Sequence, residues 1–163
     1  MTPHERLIDL LDASGIAYRT LRHEPTRTSE ESAAVRGEPL KNGAKALVLK
    51  VDDTFRLFVL SAARRLDAGA IRRHFGARRS RFATADELMK MTGLVPGSVP
   101  PFGRPILDLD AFVDPSVLER ERIAFNAGSL IDSVIMAAAD YARAATFESF
   151  VFSRESDETG VAG

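Results

Sequence analysis

The sequence predicts an α+β fold: a single domain with a mixed, mainly antiparallel sheet and short helices around it. Two observations carry this. Short apolar segments of strand length are interleaved with short amphipathic stripes of helical spacing. The segments 44–51 and 55–61 flank Asp52-Asp53-Thr54, which reads as a tight antiparallel hairpin. The chain of 163 residues suits one domain and is long enough to bury a core without disulfides or metal. No internal repeat or boundary divides it. Residues 1–153 are expected to form the domain, and 154–163 a polar, disordered tail.

Each element has its own signal. In residues 4–14, Leu7, Ile8, Leu10 and Leu11 make one apolar stripe, and Gly15 is a helix stop. Ile16 to Leu21 reads as a short strand, broken by His23-Glu24-Pro25. Thr28 with Glu31 three residues on is a capping-box pattern for a short helix ending near Gly37. Asp67 caps a helix running to His74 or Phe75, with Gly76 as its stop. Ser80 to Ala83 is a brief strand, and Thr84 with Glu87 is a second capping box for a helix ending near Gly93. Residues 93–103 hold three glycines and three prolines and are predicted to be irregular. Ile106 to Leu109 is predicted as a strand, and Asp114-Pro115 as the start of a helix. Strands are expected over 122–126 and 130–136, with a turn at Asn126-Ala127-Gly128, then a helix from Ala137 to Ala144.

Composition excludes several classes. There is no cysteine, which removes disulfides and thiolate chemistry and makes a cytoplasmic location the expectation. No apolar run reaches membrane-spanning length, and the N-terminus lacks the apolar core of a signal peptide. His4, His23 and His74 lie far apart, without metal-ligand spacing. A net charge of -1 gives no global basic field for nucleic acid. The stretch Arg64 to Arg81 nonetheless carries seven arginines, either a phosphate-contacting patch or a solvated surface. No G-x-S-x-G, Walker loop, G-x-G-x-x-G or H-E-x-x-H occurs.

Three segments can carry chemistry. Lys45 begins an otherwise apolar strand face with Leu47, Leu49 and Val51. An ammonium there either snorkels to water or is retained for chemistry or an anion, because burial without a partner is costly. The loop Gly93 to Gly103 joins glycines, which let backbone N–H groups converge, to prolines, which stiffen it. That is what an oxyanion or carbonyl cradle requires, although a packed crossover has the same composition. In Asn126-Ala127-Gly128-Ser129-Leu130-Ile131-Asp132, the carboxylate of Asp132 shares a face with Leu130, Val134 and Met136. It either pairs with Lys45, binds a substrate amine, or faces water.

In order and spacing, these pieces resemble the YbaK/ProRS-associated editing family, the trans-acting aminoacyl-tRNA deacylases. The matching pieces are the N-terminal helix and first strand, His23-Glu24-Pro25, Thr28-Ser29-Glu30-Glu31, Lys45-Ala46-Leu47-Val48-Leu49, Gly97-Ser98-Val99-Pro100-Pro101 and Asn126-Ala127-Gly128-Ser129, together covering residues 4–150. The resemblance implies the editing-domain fold and hydrolysis of the ester joining a wrong amino acid to the 3′-terminal adenosine of tRNA. No metal or cofactor is expected. The partners it implies are the 3′ end of aminoacyl-tRNA and an aminoacyl-tRNA synthetase. It assigns the family lysine to Lys45, holding phosphate or the reacting centre, and the family G-x-x-x-P loop to Gly97, Ser98, Val99, Pro100 and Pro101. Gly128, Ser129, Asp132 and Thr28 are further candidates for the pocket wall. Where several subfamilies carry an asparagine associated with alanine selection, this chain has Ala46, so an alanine preference does not transfer. A non-catalytic module of the same fold, binding tRNA or a synthetase through the arginine-rich stretch, is the alternative. A Schiff-base role for a desolvated lysine is a third possibility.

Overall fold

At the centre of the computed structural model, which describes residues 1–156, lies the hairpin of β2 (Ala44–Val51) and β3 (Thr54–Ser61). Its eight-residue strands pair antiparallel in full register, Lys45 opposite Leu60 and Val51 opposite Thr54. Six elements flank it directly: α1 (Pro3–Ala13), β1 (Tyr18–Arg22), α2 (Ser29–Arg36) and a single 3-10 turn (Leu40–Asn42) come before, and β4 (Arg64–Leu66) and α3 (Ala68–Phe75) follow. Then come β5 (Ser80–Phe82), α4 (Ala85–Thr92), β6 (Ala111–Val113), α5 (Pro115–Leu118), β7 (Arg122–Asn126), β8 (Asp132–Ala137), α6 (Ala138–Ala144), β9 (Glu148–Ser149) and β10 (Ser153–Glu155).

Three sheets result. One has the order β5-β2-β3-β6-β9, a second β1-β8-β7, and a third β10-β4. All pairings are antiparallel except β3 with β6 and β6 with β9. This is the mixed, mainly antiparallel α+β architecture expected. A parallel bridge between Gly43 and Ala124 joins the start of β2 to β7. It sets the lysine-bearing end of the hairpin beside the strand that ends in Asn126.

The hairpin is covered on both faces, which explains its nearly unbroken apolar run. One face meets a cluster built from Leu7, Leu11, Val48, Leu57, Val59, Phe125, Val134 and Tyr141. The other meets Leu49, Val51, Phe58, Leu60, Ile71, Phe112 and Phe152. In this second cluster the Phe58 and Phe112 rings stack at 5.5 Å, and Phe152 meets Phe58 edge-on at 5.3 Å. Such pairs add about 0.5–1.5 kcal/mol beyond area burial.

The caps form where the residue types demand. Thr84 and Glu87 complete a reciprocal capping box at α4, as do Thr2 and Glu5 at α1. At α2 only half the box closes. The Thr28 hydroxyl accepts from the Glu31 N–H at 3.1 Å, while the Glu31 carboxylate accepts from the Arg27 N–H at 2.8 Å. Gly37, Gly76 and Gly93 end α2, α3 and α4 in the left-handed region.

Several expectations need correction. Ile106 to Leu109 is not a strand. The chain folds back there through Ile106 and Leu107 N–H bonds to the Gly103 carbonyl, and its apolar side chains drop into the first cluster. A β-carbon on Gly103 would lie 2.4 Å from the Leu109 carbonyl oxygen, so the fold-back requires glycine. The strand expected over 130–136 starts at Asp132, and β4 and β9 carry no strand pattern in the sequence. Arg154 and Glu155 belong to β10, which pairs with β4. Residues 157–163 of the expected tail lie outside the described residues. Among the described residues, no helix is long and apolar enough to cross a membrane.

Candidate active site

A cleft of about 430 Å³ opens at the Lys45 end of the hairpin. Five pieces of chain wall it: Thr26 to Ser29 with Ser32 and Arg36 of α2, Gly43 to Leu47 of β2, Ala62 after β3, Pro96, Gly97 and Val99 of the proline-rich loop, and Asn126 with Leu130 from the β7–β8 connection. The bridge from Gly43 to Ala124 closes this arrangement, because it carries the start of β2 up to β7.

Lys45 is half-buried in the wall. Desolvation pulls its pKa below the usual lysine value of 10.5. The charge of Glu30 opposes this shift and that of Arg65 adds to it. Its ammonium makes no hydrogen bond or ion pair among the described residues. Both faces of β2 are interior, so facing inward does not distinguish Lys45. Its place at the strand's open end, on the cleft, does.

The loop is rigid for identifiable reasons. Ser98 is buried, and both its N–H and its hydroxyl donate to the Val95 carbonyl, at 3.1 and 2.7 Å. The Pro101 carbonyl accepts from the buried Tyr141 hydroxyl at 2.6 Å, and burial raises the pKa of that phenol. Gly97 adopts φ 88°, a left-handed conformation that side chains resist. The N–H groups of Gly97 and Val99 form no hydrogen bond among the described residues, whereas the Ser98 N–H is used inside the turn.

The predicted site residues divide. Lys45, Gly97, Val99 and Thr28 converge on the cleft. Ser98, Pro100 and Pro101 support the loop from behind, all buried. Gly128, at φ 80°, packs against the His4 backbone, and a β-carbon there would approach the His4 nitrogen to 3.0 Å. The Ser129 hydroxyl accepts from the Ile131 N–H at 3.1 Å. Asp132 pairs with Arg22 on β1 at 3.3 Å, not with Lys45, because the register sets Arg22 directly opposite it. Neither Ser129, Gly128 nor Asp132 lines the cleft.

Three of the arginines from Arg64 to Arg81 are engaged by neighbouring side chains. Arg64 donates to Ser153, Arg72 to Ser80, and Arg81 to Glu87. Among the described residues, no group of three or more histidine, aspartate or glutamate side chains is arranged to hold a metal ion.

Four cleft groups were not foreseen from sequence. Arg36 is half-buried, and desolvation pushes its pKa down to about 10 against the opposing charge of Glu38. Asn126 donates to the Gly97 carbonyl at 2.6 Å. Thr26 and Ser32 share a hydroxyl–hydroxyl hydrogen bond of 2.6 Å. The signal for Arg36 was ambiguous: an arginine in the last turn of a helix reads equally well as a partner of the helix dipole. For Asn126, a turn residue conceals a side chain aimed elsewhere.

The chain is similar to known proteins along most of its length. Residues 23–144 match the aminoacyl-tRNA editing domain. The chain is 41% identical over 157 residues, 93% of each protein, to the multifunctional Ser/Thr-tRNA deacylase ProXp-y of Escherichia coli (strain K12). It is 33% identical over 101 residues, 62% of this chain, to the proline–tRNA ligase of Shouchella clausii (strain KSM-K16), matching 18% of that synthetase. Among solved structures, a candidate trans-editing enzyme for prolyl tRNA synthetase superposes with a TM-score of 0.79 at 24% identity, covering 94% of this chain and 98% of that one. At that identity the likeness shows the fold alone.

Proposed function

Since the chain belongs to the aminoacyl-tRNA editing domain family, we propose that its cleft hydrolyses the ester of seryl- or threonyl-tRNA, with Lys45 as the cationic centre and the Gly97–Val99 turn as the carbonyl cradle. The observation that carries this reading is the convergence on one cleft of an ammonium and a glycine turn whose N–H groups, among the described residues, have no partner.

The chemistry asks little of the protein. An aminoacyl ester is already activated. Attack by a water held by the adjacent ribose hydroxyl puts negative charge on the carbonyl oxygen. The Gly97 and Val99 N–H groups are the donors available to receive it. The Lys45 ammonium supplies positive charge to that oxygen or to the terminal phosphate, and the low local polarity of a half-buried site strengthens it. Collapse of the tetrahedral species expels the ribose oxygen, which takes a proton, and releases the free amino acid and tRNA.

Selection of a hydroxyl amino acid has a source in the wall. The Thr26–Ser32 pair uses one hydroxyl proton internally and leaves the other for a ligand. A site that hydrogen-bonds a substrate hydroxyl rejects the analogue lacking it more strongly than an apolar pocket rejects one methylene, which is worth only about 1–3 kcal/mol. Ala46, Ala62, Val99 and Leu130 supply the apolar remainder.

The test is a panel of aminoacyl-tRNAs, each incubated with purified protein and assayed for released amino acid. Seryl and threonyl esters should be cleaved fastest and correctly matched bulky esters spared. Equal indifference to every ester would overturn the reading. The synthetase matches support an encounter with a tRNA that a synthetase has just charged. Co-sedimentation with proline–tRNA ligase in the presence of tRNA tests that part.

A further inference from the structure

Arg36, Asn126 and Gly97 form a chain of hydrogen bonds that can run in only one direction. Arg36 Nη2 donates to Asn126 Oδ1 at 2.9 Å, and Asn126 Nδ2 donates to the Gly97 carbonyl at 2.6 Å. A guanidinium only donates and a backbone carbonyl only accepts, so the amide between them has a single permitted orientation. Behind Arg36, its Nε donates to Ser133 Oγ at 2.9 Å, and that fully buried hydroxyl meets His23 Nε2 at 2.8 Å.

Two features indicate a task beyond packing. Arg36 is held by neutral acceptors, with no carboxylate within ion-pair distance among the described residues, an expensive way to bury a cation. The other feature is where the chain ends. The peptide joining Gly97 to Ser98 is planar. Its carbonyl is held by Asn126 and its N–H by the Val95 carbonyl. Fixing that plane anchors the residues it joins and narrows the range open to the two flanking peptides, which carry the N–H groups of Gly97 and Val99.

We propose that Arg36 is a positioning residue that acts through Asn126, clamping the Gly97–Ser98 peptide so that the flanking N–H groups are aimed before the ester arrives. The inference rests on the deacylase reading for its catalytic consequence, but not for the clamp itself. Arg36 lines the cleft yet need not touch the reacting carbonyl. Its effect is to remove a reorganisation that would otherwise accompany each turnover.

Two variants separate the links. Asn126→Asp keeps an acceptor for Arg36 and removes the N–H that holds Gly97. Arg36→Lys keeps the charge and loses the fork that sets the amide. Each is assayed by amide hydrogen exchange at residues 97–99 and by steady-state deacylation of seryl-tRNA. Both should speed exchange of the Ser98 N–H, which donates to the Val95 carbonyl inside the clamped turn, about tenfold or more, while the β3 amides keep their wild-type rates. Both should lower kcat about 10–100-fold with KM changed less than about threefold, the pattern of lost orientation, not lost binding. A general loss of stability would instead speed exchange throughout. Wild-type exchange in the loop of both variants would overturn the clamp. So would full kcat in Asn126→Asp beside a crippled Arg36→Lys, which would make Arg36 a direct substrate contact. If the wild-type protein cleaves no ester, the deacylase reading fails, and the exchange measurement still decides the clamp.

Discussion

The two ends of the central hairpin treat charge in opposite ways. At the turn end, Asp52 accepts from the Arg78 and Arg79 N–H groups, both at 3.0 Å. Nearby, Arg81 grips Glu87 through two bonds of 2.8 and 2.9 Å, and that grip holds the Glu87 carboxyl at about 2. At the open end, Lys45 and Arg36 sit half-buried with no carboxylate partner among the described residues, and desolvation lowers the pKa of both. Charges at the turn end are spent on one another. Those at the open end face no carboxylate among the described residues, which costs stability: Lys45 is left for a ligand, while Arg36 is held by the neutral Ser133 and Asn126 side chains.

The contrast can be broken or sharpened in order of expected effect. Gly97→Ala should act most strongly. Space is not the obstacle, since a β-carbon would meet Leu130 at an ordinary 3.5 Å, but the backbone sits at φ 88°. The strain is worth about 1–2 kcal/mol. Thermal denaturation should show that loss, and kcat should fall at least about tenfold as the turn relaxes. A variant with unchanged kcat would show that the turn geometry is idle in catalysis.

Ser32→Ala and Thr26→Val come next. Each should reduce kcat/KM for seryl-tRNA relative to alanyl-tRNA by about tenfold, the equivalent of one hydrogen bond of about 1.4 kcal/mol. An unaltered ratio in both would remove the hydroxyl pair from selection.

The buried lysine also sets a pH dependence. Its pKa in the folded chain lies below the 10.5 of the unfolded chain, so between those values the unfolded state binds more protons. Burial of the charged form therefore weakens the fold below the folded pKa, and stability recovers as pH rises toward 10.5. Lys45→Met should raise the melting temperature at neutral pH, and the gain should shrink as pH increases. A variant less stable than wild type at neutral pH would contradict the desolvation account.

Arg81→Ala should do least. Its pair with Glu87 is solvent-screened, so the melting temperature should barely move and deacylation should not change. A clear drop in the salt sensitivity of tRNA binding would restore a role in RNA contact to the arginine-rich stretch.

Much of this organisation is legible in the sequence, and the remainder is hidden for physical reasons. The hairpin, the caps at Thr28, Asp67 and Thr84, and the stops at Gly37, Gly76 and Gly93 are local, and local residue types determine them. Lys45 and the Gly97 turn stand out because each breaks a local rule. Arg36 and Asn126 break none. Their meaning comes from partners 90 and 29 residues away in the chain, which only the folded chain brings together. Asp132 is the mirror case: a carboxylate among apolar neighbours fits a pocket wall, a lysine partner or open water equally in the sequence, and only antiparallel register places Arg22 opposite it. The short strands Arg64–Leu66 and Glu148–Ser149 are held by pairing with distant segments, not by any pattern of their own.

The central claim is that the unpaired ammonium at the open end drives ester hydrolysis. Lys45 and Lys50 lie on the same strand, and Lys50 rests over the Phe55 ring at 5.6 Å, away from the cleft. Single-turnover hydrolysis of seryl-tRNA by Lys45→Ala and Lys50→Ala, at saturating enzyme, compares the two directly. The account predicts a loss of about 100-fold or more for Lys45→Ala and wild-type rates for Lys50→Ala. Equal rates in the two variants would contradict it.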